Sequence, residues 1–171
     1  MNLRKKLEKI SPSILKILHA KTNSRHTNYA STNGRFDTLQ AAVLLGKWPG
    51  FDEEVEKRGE IGARYSELLK DHVKTPKIAE GNTHVYAQYT IRVDEDRRDE
   101  IRAGLKEAGI PTAVYYPKCF HEQPVFEHLG YTYGDFPESE KASKEVLSLP
   151  MHPFLSAEEQ DEISTNLNKI I

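Results

Sequence analysis

Ser31-Thr-Asn-Gly-Arg-Phe-Asp-Thr-Leu-Gln-Ala-Ala-Val-Leu-Leu45 runs from a polar turn straight into a helix start. Asp37 stands where an N-cap belongs, with Gln40 three residues on as its capping-box partner. The first turn of a helix leaves backbone N–H groups unpaired and carries the positive end of the helix dipole, so the position favours an anion. Asn33 adds an amide donor, Gly34 permits close backbone approach, and Arg35 adds a two-pronged cation. Leu39-Gln-Ala-Ala-Val-Leu-Leu45 is apolar on nearly every face, which predicts a buried helix. Two readings stay open at this point: a phosphate-binding turn anchored on a buried helix, or an ordinary capped helix with a solvated arginine.

Outward from this stretch, Pro49-Gly50 separates the helix from a second one, predicted from Asp52 to about Leu69. Its inward face is Val55, Ile61, Tyr65, Leu68 and Leu69, and Gly59 and Gly62 are expected to weaken it. Val85-Tyr-Ala-Gln-Tyr-Thr-Ile-Arg-Val93 alternates and is rich in β-formers, so it reads as a strand. Asp96 is the expected cap of a helix presenting Ile101, Leu105 and Ala108, which Gly109 and Pro111 terminate. Thr112–Tyr116 reads as a second strand. Pro137 opens a helix to Leu147, and Ser148-Leu149 follows as a short extended piece. Ser156 and Glu159 form a capping box for a last helix with Ile163, Leu167 and Ile170 inward. On the N-terminal side, Leu3, Leu7, Ile10, Ile14 and Leu18 keep helical spacing across Pro12, predicting two short helices. The fold class implied is α+β, a small sheet with helices on one side.

The chain has 171 residues, enough for one domain with a real core. No apolar run approaches membrane-spanning length, and Met1-Asn-Leu-Arg-Lys-Lys6 leads into a charged segment instead of a signal-peptide core. A single cysteine, Cys119, excludes an internal disulfide and a cysteine-based zinc site, and fits a cytoplasmic setting. A catalytic thiol needs a paired base, so Cys119 reads as a packed small side chain. The histidine pairs His19/His26 and His121/His128 are seven apart, not the four of a helical zinc site, so no metal is expected. Asp52-Glu-Glu54 and Glu158-Glu-Gln-Asp161 sit in helix first turns, where they complement the dipole.

The net charge of −2 is unevenly spread. Residues 1–50 carry nine Lys/Arg against Glu8 and Asp37, or +7; the remainder carries −9. A basic arm on an acidic body raises nucleic acid as a partner, but the arm has no aromatic interleaving and no motif of a nucleic-acid-binding fold. An anionic small ligand or a partner's acidic surface accounts for it equally well, so neither nucleic acid nor membrane is expected.

Asn33-Gly-Arg-Phe-Asp-Thr-Leu-Gln-Ala-Ala42 resembles the Asn-x-Arg-x-Asp-x-x-Gln-Ala-Ala segment of the DegT/DnrJ/StrS-type sugar aminotransferases. Further blocks resemble the family in its own order: Val85–Val93, Gly109-Ile-Pro-Thr-Ala-Val-Tyr-Tyr-Pro117, His121-Glu-Gln-Pro124 and Leu147-Ser-Leu-Pro-Met-His-Pro153. Together they cover roughly Lys21 to Ile171, and the subgroup acting on UDP-linked 3-keto-hexuluronic acids is the most similar. The resemblance implies the small C-terminal domain of a fold-type-I aminotransferase over residues 73–171. Residues 21–72 would be its loop and connecting helices, and residues 1–20 an atypical helical segment. It implies pyridoxal 5'-phosphate as cofactor, an amino acid as amino donor, and a nucleotide-linked keto-sugar of surface-polysaccharide synthesis as acceptor.

By the same resemblance, Asn33 reaches the cofactor phosphate of a neighbouring subunit in a homodimer, and Arg35 meets the substrate's nucleotide. Tyr115 and Tyr116 lie beside the substrate diphosphate, with His121 on the same loop. Phenol, imidazole and guanidinium groups suit a diphosphate, each charge-assisted bond contributing about 1.5–3 kcal/mol. The family's Schiff-base lysine lies several tens of residues before the Asn33 segment. Here 32 residues precede it, and Lys5, Lys6, Lys9, Lys16 and Lys21 lack the family's glycine-rich sequel. No catalytic residue is therefore assigned, and the chain is expected to be inactive alone. The alternative is a non-catalytic binding or dimerisation module that pairs with a full-length relative or a separate N-terminal half.

Overall fold

The structure is a computed structural model that describes residues 37–171. Asn33, Arg35, the five lysines up to Lys21 and the helices expected over Leu3–Leu18 lie outside the described residues.

Helix α1 spans Thr38–Lys47, and its start is as the sequence implies: the Asp37 carboxylate accepts from the Gln40 amide at 2.9 Å. A 3₁₀ turn, Trp48–Gly50, joins it to α2, Phe51–Leu69. Strand β1 is Tyr89–Arg92, followed by α3 at Arg98–Glu107. After an irregular stretch come α4 at Pro137–Glu145, β2 at Val146–Leu149 and α5 at Ala157–Ile170. The two strands pair antiparallel, Tyr89 opposite Leu149 and Ile91 opposite Leu147. Single bridges, Lys74 to Arg92 and Ala113 to Ser148, add one contact along each outer edge.

The register puts Tyr89, Ile91, Leu147 and Leu149 on one face. That face is buried with Ile61, Tyr65 and Leu69 of α2, Ile101 and Leu105 of α3, and Ile163 and Leu167 of α5. The fold is therefore α+β, a small sheet covered by helices. Three of the buried polar side chains inside it are paired, whereas Ser164 Oγ has no hydrogen-bond partner among the described residues. Tyr65 donates to the Pro150 carbonyl at 3.2 Å, Tyr89 shares a bond with Ser66 at 2.9 Å, and Gln160 donates to the Ile61 carbonyl at 2.9 Å. Burial pushes the Tyr65 phenol up and that of Tyr89 up to about 12.

Several local expectations are corrected. The strand expected over Val85–Val93 begins only at Tyr89, because Tyr86 takes a left-handed backbone (φ 42°) that breaks the extended run. Tyr86 is held there by bonds at both ends: its amide donates to His84 Nδ1 and its carbonyl accepts from Arg58, each at 3.0 Å. Gly62 is the other half of that arrangement. A Cβ at position 62 would lie 2.5 Å from the Tyr86 ring, so the glycine makes room for it and is not merely a weak point in α2. Thr112–Tyr116 forms one bridge at Ala113 and no strand. Arg97, not Asp96, is the N-cap of α3; the Asp94 carboxylate accepts from the Asp96 amide and its carbonyl from Arg97 and Arg98. Helix α4 stops at Glu145, because Val146 already turns extended to pair with Arg92. The burial expected for α1 is absent: it has no buried residue, with Leu39 80% and Leu45 73% exposed.

Candidate functional site

Tyr115 and Tyr116 leave the sheet edge directly after the Ala113 bridge. Ala113 donates to the Ser148 carbonyl at 3.1 Å and accepts from the Ser148 amide at 2.7 Å, which pins the base of the segment to β2. Beyond that anchor no strand partner claims the two tyrosines, and both are exposed, Tyr116 by 67%. Their rings meet edge-on at 6.0 Å between centroids. Tyr116 also neighbours Phe120 at 6.5 Å, and Phe120 stands edge-on to Phe126 at 5.8 Å. The result is a surface track of rings along a chain excursion from Pro117 to Phe136, stiffened by 3₁₀ turns at Phe120–Glu122 and Pro124–Leu129. Exposed phenols beside exposed rings can donate to phosphate oxygens and stack on a planar base.

His121 occupies the same excursion but points the other way. Its side chain is only 7% exposed, its Nε2 lies 2.9 Å from Glu140 Oε1, and its ring packs on Phe136 at 4.8 Å. It is thus no solvated loop histidine. Glu140 also accepts from the Gly134 amide at 2.8 and 3.0 Å and from the Phe136 amide at 3.2 Å. Burial pushes this carboxyl up, but the amides of Gly134 and Phe136 together with His121 outweigh it and hold the carboxyl below its ordinary value.

Sequence reasoning missed Glu140. Its position in the first turn of α4 reads as one more acid complementing the helix dipole. The signal was the run Phe136-Pro-Glu-Ser-Glu140, in which a glutamate can reach back to amides preceding its helix, as in a capping box. Cys119 is half-buried, and burial pushes its thiol up, in keeping with a packed side chain. Among the described residues no group of three or more His, Cys, Asp or Glu is placed to hold a metal ion. No helix among them is long and apolar enough to cross a membrane.

Known proteins share this fold. The DegT/DnrJ/EryC1/StrS aminotransferase family matches residues 4–168, and the chain belongs to that family. A pleiotropic regulatory protein of Geobacillus stearothermophilus is 50% identical over 135 residues, which are 77% of this chain and 36% of that protein. The UDP-2-acetamido-2-deoxy-3-oxo-D-glucuronate aminotransferase of Pseudomonas aeruginosa is 42% identical over 138 residues, 80% of this chain and 37% of that one. A DegT/DnrJ/EryC1/StrS aminotransferase from Brucella abortus, known from its crystal structure, superposes with a TM-score of 0.72 at 37% identity. The superposition covers 91% of this chain and 42% of that one. The chain thus spans well under half the length of the relatives it matches.

The family's cofactor is pyridoxal phosphate, a group held covalently by a lysine amine. Such an amine needs a depressed pKa. Among the described residues no lysine is buried, and hydrogen bonds to Glu53, Glu67 and Tyr133 raise Lys57, Lys70 and Lys144 instead. The described residues therefore do not fit the covalent anchor of the cofactor. Asn33, the expected phosphate contact, lies outside them.

Proposed function

We propose that this chain is the C-terminal part of a nucleotide-sugar aminotransferase of surface-polysaccharide synthesis, with a UDP-linked 3-keto sugar as the amino acceptor. The observation that carries the reading is the pair Tyr115 and Tyr116, exposed at the end of a segment pinned to the sheet and continued by the rings of Phe120 and Phe126. The 42% identity to an aminotransferase of a UDP-linked keto-sugar supports the substrate class. On this reading the tyrosine hydroxyls donate to the diphosphate, Arg35 pairs with the nucleotide's charge, and His121 steadies the loop between them. Asn33 contributes to a cofactor phosphate site completed by a partner subunit. The cofactor, when bound, carries the amino group from donor amino acid to keto-sugar; this chain binds and orients the acceptor. Alone it transfers no amino group.

A second reading, a non-catalytic module that pairs with a lysine-bearing half or a full-length relative, draws on α1. Leu39, Val43, Leu45, Trp48 and Phe51 stand at least half exposed on and after that helix. A patch of that kind rarely persists on a monomer.

One titration serves both readings. UDP added to the full chain should bind at roughly millimolar strength, since the site is incomplete, and shift NMR signals of Arg35, Tyr115, Tyr116 and His121 together. Shifts confined to Arg4, Lys5, Lys6 and Lys9 would sink the substrate reading and leave charge attraction alone. Association through α1 with no response to UDP would favour the second reading.

A further inference from the structure

The excursion from Pro117 to Phe136 leaves the body of the protein and returns to it, and one carboxylate closes its neck. Glu140 Oε1 takes His121 from the outgoing limb at 2.9 Å and the Phe136 amide from the returning limb at 3.2 Å. The Gly134 amide of the returning limb reaches both oxygens, at 2.8 and 3.0 Å. The Glu140 side chain is 4% exposed, so water does not compete for these bonds. Another tie between this excursion and α4, Lys144 Nζ to the Tyr133 hydroxyl at 3.0 Å, is exposed.

His121 is the neighbour of Phe120, and Phe120 stands between Tyr116 and Phe126. A continuous run of contacts therefore leads from the buried carboxylate, through His121 and the 3₁₀ turn Phe120–Glu122, to the exposed ring of Tyr116. The buried bonds to Glu140 join the two limbs at this neck, together with packing of the Phe136 ring on His121 and Tyr131.

We propose that Glu140 is a positioning residue: by gripping both limbs of this excursion through His121 and the Gly134 and Phe136 amides, it sets where Tyr116 and Phe120 stand. His121 then acts through Glu140 and not by touching a ligand itself. This rests on the proposed function only for the identity of the ligand; the ordering of the rings stands without it.

The test compares paired variants of the full chain. His121→Leu removes the donor to Glu140 while both amides stay, whereas His121→Gln restores an N–H near the position of Nε2. Aromatic-labelled NMR of the free protein reads Tyr116 and Phe120, and a UDP titration reads the ligand. His121→Leu and Glu140→Ala should broaden or shift both rings and weaken UDP about tenfold, the weight of one charge-assisted bond. His121→Gln should restore both readouts to near the original. Lys144→Ala, which cuts the exposed tie and a 3.9 Å ion pair to Glu95, should change neither.

Unaltered ring signals and UDP affinity in His121→Leu would overturn the proposal, as would equal damage from His121→Gln. If Glu140→Ala does not fold, the His121 pair decides alone. If UDP fails to bind the unaltered chain at Tyr116, the proposed function falls while the ring signals still decide the role of Glu140.

Discussion

Helices α1 and α2 lie next to each other, joined by three residues, and they invert the usual relation between composition and burial. Helix α1 carries a single charged residue, Lys47, and buries nothing. Helix α2 is dense with charge, yet buries Ile61, Gly62, Tyr65 and Leu69. What separates them is period. In α2 the apolar residues recur on one stripe that meets the sheet and α5, while the charges pair along the surface, as Arg64 does with Asp161 at 2.9 Å. In α1 the apolar residues go all round, so one face against this chain's own core could never satisfy it. Leaving such a side chain in water forgoes about 1.5–3 kcal/mol. Apolar composition therefore marks a helix built to be covered, and the described residues do not supply the cover.

The sharpest way to break this comparison is to truncate a leucine in each helix. Leu69→Ala should lower unfolding free energy by about 2–5 kcal/mol, because the residue is fully buried in the shared core. Leu39→Ala should stay within about 0.5 kcal/mol under conditions where the chain is monomeric. Urea denaturation of both variants measures the contrast, and equal losses would mean that α1 is covered in solution after all.

Glycines within α2 sharpen it further. Gly62→Ala should destabilise by about 1–3 kcal/mol, since the new methyl group collides with the Tyr86 ring. At Gly59 a Cβ meets open space, so Gly59→Ala should stabilise by about 1 kcal/mol through helix propensity. The two opposite signs, three residues apart, are read by the same denaturation curves.

The smallest effect concerns the candidate site, whose anchor is polar where that of α2 is apolar. The folded protein holds the Glu140 carboxyl below its unfolded value. That group's contribution to stability is therefore fully present above the ordinary carboxylate pKa and disappears as pH falls through the lowered one. Between about pH 5 and pH 2 the thermal midpoint of the unaltered chain should fall more steeply than that of Glu140→Gln. Parallel curves would remove Glu140 from the acid response.

Much of this was legible beforehand where the determinants are local. Asp37 and Ser156 cap the helices they were expected to cap, because a cap is decided by residues three apart. The inward residues Ile61, Tyr65, Leu69, Ile163 and Leu167 followed from the helical period. The family resemblance singles out Tyr115 and Tyr116 as the proposed substrate contacts, but says nothing of the direction of His121. A histidine in a loop becomes buried only when a carboxylate 19 residues later folds back under it.

By itself, then, the sequence determined that the five segments α1 to α5 are helical, the capped starts of α1 and α5, the inward residues of α2 and α5, and the family to which the chain belongs. The tertiary structure alone decided the rest. It truncated the strand at Tyr86, since that residue's ring needs the vacancy at Gly62, and it turned Glu140 from a helix-dipole acid into the clasp of a loop. Among the described residues it also left α1 uncovered. The physical reason is common to all three: local propensity acts over a few residues, whereas burial and a buried hydrogen bond require partners that only the folded chain brings within reach.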